Sequence, residues 1–211
     1  MVDIYTEIHN LLNYKKRINF PFTENEIPLN GIYILFEKGE EYNGKQRIVR
    51  VGTHSGQDKL FSRLKEHFLI QNKDRSIFRK HIGRALLNKR NDSFAEQWEL
   101  DLTSRVNKNK FKDKVDFQKQ KLVEEEVSKY INEKFSFVTI EVNTKDEREF
   151  YEKKLISSLN VINSWRPSDN WLGFYSPNNK ISQSGLWNIQ NLNSPPFLEK
   201  EFEDFKSKFL L

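Results

Sequence analysis

Cysteine is missing from the 211 residues, and with it go disulfide bridges and Cys-ligated zinc. The four histidines, His9, His54, His67 and His81, follow no zinc-finger or zincin spacing. No apolar run approaches the ~20 residues of a membrane-spanning helix. The opening MVDIYTEIHNLLNYKKR carries acids and lacks the basic-then-apolar order of a signal peptide. The expectation is a cytoplasmic chain with no membrane partner. Charge of one sign is also in short supply: 35 basic against 30 acidic residues leave +5. That balance permits a polyanionic partner without demanding one. No internal repeat is evident.

Aromatics, by contrast, are plentiful. Their 17 Phe, 7 Tyr and 4 Trp offset a shortage of aliphatics in a chain 36% hydrophobic and 31% charged. This length builds one domain with a real core, or one domain with appendages. The distribution of charge says more than its sum. Residues 59–90 hold many Lys and Arg and few acids, whereas acids concentrate at 124–126, 146–152 and 199–204. A basic block set apart from acidic ones is the pattern of a positive face for phosphates, although a solvated, lysine-rich surface gives it too.

The apolar pattern predicts the elements in order. Ile4, Ile8, Leu11 and Leu12 give a helix over about 3–14, and 19–30, with Pro21 and Pro28, reads as a loop. Residues 31–37 form a nearly continuous apolar strand, of the kind buried on both faces. Residues 38–45 read as a turn punctuated by Gly39 and Asn43-Gly44, and 47–52 as the returning hairpin strand. Helices are predicted over about 59–69, 75–88 and 115–135, the last with Leu122, Val123, Val127 and Ile131 in its apolar stripe. A third strand, 135–142, precedes a helix over 146–159 with acids in its first turn. A loop-rich stretch then leads to a final helix at about 197–209. The fold class is α+β: a small three-stranded antiparallel sheet with helices on its faces.

Three groups of side chains carry possible chemistry. Tyr33 can act as a base if cations offset the charge of its ionised form. Arg63 and His67 lie one helical turn apart and share a face; a guanidinium matches phosphate geometry, and an imidazole donates to phosphate or moves a proton. Glu152 lies beside the buried stripe of its helix, and one carboxylate is enough to hold Mg²⁺ with waters and a substrate phosphate. Glu149 and Asp146 are its fallbacks.

The order Gly31-Ile32-Tyr33, Arg50-Val51-Gly52, Arg63 with His67, and a late acidic helix resembles the GIY-YIG nuclease family over about residues 31–163. The chain is similar to stand-alone bacterial members and to restriction endonucleases of that family. The resemblance implies a core at 29–165 of a single domain 1–211, a helical insertion near 89–134 and a C-terminal extension at 166–211. It implies roles as well. Tyr33 activates water, Arg63 stabilises the transferring phosphate, Glu152 holds one divalent ion (Mg²⁺ or Mn²⁺), and Asn163 supports the site, with Asn170 as second candidate. His67 matches a histidine found four residues after the Arg in some restriction enzymes. The second motif's Tyr is replaced by Arg50, which cannot serve as a base at ordinary pH. Arg50 is left to tune Tyr33 or bind phosphate, and His54 is a candidate to share the proton work. A basic groove is expected from Lys59, Lys65, Arg75, Arg79, Lys80 and Arg84. The function implied is metal-dependent endonuclease action on DNA, double-stranded, in restriction or phage defence. The alternatives are a catalytically inactive nucleic-acid-binding module retaining the fold, and a scaffold protein. Target sequence and oligomeric state stay open, a dimer included.

Overall fold

The apolar run after Gly31 becomes the central strand of an antiparallel sheet. A computed structural model describes residues 3–160 and 166–209. Among these, four strands align in the order β1-β4-β2-β3: β1 (Ile18–Asn19), β2 (Gly31–Tyr42), β3 (Lys45–Gly52) and β4 (Phe135–Glu141). The sequence predicted three. The additional strand is two residues long, Ile18 and Asn19 pairing with Phe137 and Ser136, too short to show a period. The β2–β3 hairpin is also longer than expected. Its turn is only Asn43-Gly44, both with positive φ (49° and 72°), as a two-residue hairpin loop requires. The residues read as a turn, 38–42, continue β2 through a register shift around Gly39, whose φ is 93°.

The helices are α1 (Ile4–Tyr14), α2 (Leu60–Phe68), α3 (Ile77–Lys89), α4 (Ala95–Trp98), α5 (Arg105–Phe111), α6 (Phe117–Lys134), α7 (Lys145–Leu159), α8 (Asn179–Ser184) and α9 (Glu199–Phe209). Alternation along β2 sorts them onto two faces. Tyr33 and Leu35 pack with Leu64 of α2, Phe78 and Ile82 of α3 and Val127 of α6. Ile32, Ile34 and Phe36 pack with Leu12 of α1, Leu155 and Leu159 of α7 and Phe205 of α9. Both faces are covered, so the run needs no polar side.

Leu122, expected in the stripe of α6, is exposed instead. The helix turns Val123, Val127 and Ile131 inward, together with the polar Glu124 and Ser128. The cause is Arg79 on α3, which has no solvent exposure. Its Nη2 donates to Glu124 Oε2 at 2.6 Å and to Ser128 Oγ at 2.8 Å, and its Nη1 to the His67 carbonyl at 3.1 Å. A buried guanidinium must be matched, and matching it sets the rotation of α6. Glu124→Ala is therefore expected to cost about 3–5 kcal/mol in urea unfolding, because it strands a buried charge. The double variant Arg79→Met/Glu124→Leu should recover much of that loss.

The C-terminal residues complete the sheet at its open edge. Trp187 N–H donates to the Val49 carbonyl at 2.7 Å, and the Asn188 side chain bonds both the N–H (3.1 Å) and the C=O (2.9 Å) of Val51. Three edge groups of β3, one on Val49 and two on Val51, are thereby satisfied. The segment is anchored a second time by buried Glu37 on β2, whose carboxylate takes the indole N–H of Trp171 (2.9 Å) and Trp187 (3.0 Å) and the hydroxyl of Tyr130 (2.5 Å). Burial raises the Glu37 pKa, and these three donors oppose the rise.

Candidate active site

Tyr33 on β2 is paired with Gly52 on β3, and its ring lies directly over that glycine. A Cβ at position 52 would stand 2.2 Å from the Tyr33 hydroxyl oxygen. The glycine that closes the second motif is thus the space the first motif's phenol occupies. Gly31 is constrained in the same way: a Cβ there would meet the Ile140 carbonyl oxygen at 2.2 Å.

The phenol is held from the helix side. His67, fully buried on α2, places Nε2 2.7 Å from the Tyr33 oxygen and Nδ1 2.7 Å from Ser76 Oγ. Ser76 caps α3, its Oγ accepting the Arg79 N–H at 3.2 Å. Among the described residues the Ser76 hydroxyl hydrogen has one acceptor, His67 Nδ1. A buried hydroxyl left without an acceptor is costly, so Nδ1 accepts and Nε2–H donates to Tyr33. Burial, followed by the cations of Arg63, Arg50 and Arg79, holds the His67 pKa well below the usual imidazole range, so the ring is neutral. Burial works against the charge of Arg63, but attraction to Tyr33 and the hydrogen-bonded ion pair with Glu66 outweigh it and raise its pKa. His67 Nε2 therefore meets the phenol oxygen as a donor, and the Arg63 cation, whose Nη1 donates to Glu66 at 2.9 Å and to the Arg75 carbonyl at 3.1 Å, attracts it. Its own hydrogen is left to point elsewhere.

That phenol lines a cleft of about 280 Å³ together with Arg50, Thr53, Arg63, His81 and Glu152. Arg50 follows the same face of the sheet. It donates to the Trp187 carbonyl, lies 5.3 Å from the Phe78 ring centroid, and is paired across the strands with Leu35, not with Tyr33. Glu152 reaches the cleft from α7, its Oε1 accepting the Thr53 N–H at 3.1 Å. Its Oε2 makes no hydrogen bond among the described residues. Burial raises the Glu152 pKa against the opposing pull of Arg50, Thr53 N–H and Arg63.

A second cleft of about 740 Å³ opens outward from the first and shares Thr53, Arg63, Glu152, Gln190 and Asn191 with it. Lys59 and Lys153 line this outer cleft, as do Glu66 and Glu149. The expected groove therefore divides. Lys59 is beside the site, and Arg75 is exposed 3.9 Å from Glu66. Lys65 is half-buried, 5.5 Å from the Phe61 ring centroid. Arg79, expected at the surface, is the buried partner of Glu124 and is closed to phosphate. Lys80 bonds the Glu99 carbonyl at 3.0 Å, and Arg84 pairs with the Glu99 carboxylate. Charge counting along the chain missed this because Glu124 and Glu99, the acids that claim Arg79 and Arg84, lie 45 and 15 residues away in sequence.

Asn163 lies outside the described residues. Asn170 lines a separate cleft with Glu37 and Glu40 and is not brought to the site. Asn188 is, but its amide is committed to Val51. His54 spends Nε2 on the Gly31 N–H at 3.2 Å, and burial, then Arg148, lowers its pKa to about 4. His81, Lys153, Gln190 and Asn191 were not singled out from sequence. No spacing links them to the hairpin; only the fold does.

A phenol, two guanidinium groups and one half-desolvated carboxylate around one cleft form the equipment of a protein that handles phosphodiesters. The chain belongs to the GIY-YIG domain family, whose model matches residues 2–206. Proteins of that family are generally endonucleases that act on DNA with divalent metal ions. No curated protein and no solved structure matches the chain. Among the described residues no helix is long and apolar enough to cross a membrane, and no group of three or more His, Asp or Glu could hold a metal.

Proposed function

We propose that this chain is a metal-dependent endonuclease that hydrolyses phosphodiester bonds in double-stranded DNA. The observation that carries the reading is the meeting of Tyr33, Arg50, Arg63 and Glu152 around one small cleft. These residues come from two strands and two helices, up to 119 positions apart (152 − 33). The likeness of the Arg63–His67 pair to that of restriction members supports cleavage of foreign DNA as the setting.

The chain's own residues divide the work. Once its own proton has passed to solvent, the Tyr33 phenolate, stabilised by His67 Nε2–H and the Arg63 cation, takes the proton of the attacking water. Arg63 and Arg50 hold non-bridging oxygens as charge grows in the transition state. Glu152 fits a hard cation: its Oε2 is uncommitted, and a single carboxylate with waters and phosphate suffices for Mg²⁺. A divalent ion held there would supply charge neutralisation for the departing oxygen. Lys59 and Lys153 lie where the DNA backbone would continue through the outer cleft.

The test is conversion of supercoiled plasmid to nicked or linear forms with Mg²⁺ or Mn²⁺ and its arrest by EDTA. Binding without conversion would select the inactive-module alternative. Arg50 gives a finer check. Arg50→Ala should slow cleavage by roughly 10²-fold, as loss of one oxyanion donor does. Arg50→Tyr, which restores the second motif, should keep more activity than Arg50→Ala. Wild-type rates in Arg50→Ala would leave the residue a mere support for Trp187.

A further inference from the structure

His81 is a side chain of the inner cleft to which no task has yet fallen. It lies on α3 with no solvent exposure and lines the cleft with Tyr33, Arg50 and Arg63. Its Nδ1 is 3.1 Å from Arg84 Nη1. A guanidinium only donates, so Nδ1 accepts, and the neutral ring carries its hydrogen on Nε2. That Nε2 is buried and has no hydrogen-bond partner among the described residues. Burial, then the cations of Arg84 and Arg50, pushes the His81 pKa down to about 3, so the ring stays neutral in the physiological range.

The tautomer is held from behind. Arg84 Nε donates to Glu99 Oε1 at 2.5 Å, and its Nη2 donates to Oε2. The chain Glu99–Arg84–His81 leaves the imidazole one orientation and one free donor. Arg50 Nε, on the same cleft, is likewise buried and without a partner. Two buried donors from different elements, both lacking an acceptor, are unfavourable unless something with acceptor oxygens enters.

We propose that His81 Nε2–H donates a hydrogen bond to a non-bridging oxygen of the phosphodiester held in the inner cleft, with Arg84 and Glu99 as positioning residues. The proposal rests on the phosphodiester reading of this cleft. It adds a neutral donor to the two guanidinium groups, supplied by a helix that carries none of the motif residues.

The experiment uses the full chain with His81→Phe and His81→Gln, after thermal unfolding has shown that both fold. In single-turnover cleavage His81→Phe should lose roughly 10²-fold in rate with DNA affinity little changed, and the amide donor of His81→Gln should recover part of it. Duplexes with a single scissile phosphorothioate, as separate diastereomers, give the decisive readout. Sulfur in the position His81 contacts should slow wild type, and that penalty should vanish in His81→Phe. A purely structural role would slow both diastereomers alike. ¹⁵N spectra should show His81 as the Nε2–H tautomer in wild type and as a mixture in Arg84→Leu. Its Nε2–H should also shift when a thymidine dinucleotide is added.

Wild-type rates in His81→Phe, an unchanged thio penalty, or an Nδ1–H tautomer would overturn the inference while leaving the nuclease reading intact. So would an Nε2–H that meets an ordered water only and does not respond to the dinucleotide. If wild type cuts nothing yet the dinucleotide shifts His81, the nuclease reading fails and the phosphodiester contact stands. If neither occurs, both fail.

Discussion

Glu152→Gln is expected to abolish divalent-dependent cleavage while DNA binding and the fold persist. The amide keeps the shape of the side chain, and its Oε1 can still accept the Thr53 N–H that now meets the carboxylate at 3.1 Å. What it loses is the charge on the cleft side. A catalytic metal contributes several kcal/mol of transition-state charge stabilisation, and each ~1.4 kcal/mol is tenfold in rate, so a fall of ~10³-fold or more is expected. The fold should not suffer. Burial disfavours the charged form of Glu152, so a neutral group there costs the native state little. Thermal unfolding and DNA binding by fluorescence anisotropy check the two halves. Undiminished cleavage would remove Glu152 from the metal site and make Glu149, on the outer cleft, the next carboxylate to replace.

Tyr33→Phe carries the second large effect. The phenyl ring fills the same space over Gly52, so the hairpin is retained. The variant loses the oxygen that receives His67 Nε2–H and that the Arg63 cation attracts. Removing a general base lowers rates by roughly 10²–10⁴-fold, and the stranded imidazole donor costs about 1–3 kcal/mol of stability. The measurement is single-turnover cleavage at saturating DNA, beside urea unfolding. A rate within experimental error of wild type would mean that another group activates the water, with Tyr33 only packing the sheet.

Much of this site could be read from the chain because its parts announce themselves locally. Gly31 and Gly52 are there for close approach, one against a carbonyl and one beneath a ring, so short motifs mark them. Arg63 and His67 follow helical spacing, and α7 shows both its acidic start and its apolar stripe. The illegible parts depend on contacts remote in sequence. The two-residue strand β1 has no pattern of its own and exists through β4. Lys and Arg counts from 59 to 90 promised a continuous basic groove, but Glu124 of α6 and Glu99, just past α4, claim Arg79 and Arg84. The same acids give those residues other work: Arg79 fixes α6, and Arg84 orients His81. Leu122 reads as a core residue because helical spacing cannot foresee that a buried arginine will rotate the helix toward Glu124 and Ser128.

The central claim is that a phosphodiester occupies the inner cleft, with Tyr33 and Arg63 on one side and Glu152 on the other. The most direct test is a crystal structure of the Glu152→Gln chain bound to duplex DNA. The account predicts one phosphate within hydrogen-bonding distance of Arg63 and the Tyr33 hydroxyl, with the flanking backbone running past Lys59 and Lys153. A duplex seated on another surface, with the Tyr33 cleft empty of phosphate, would contradict it.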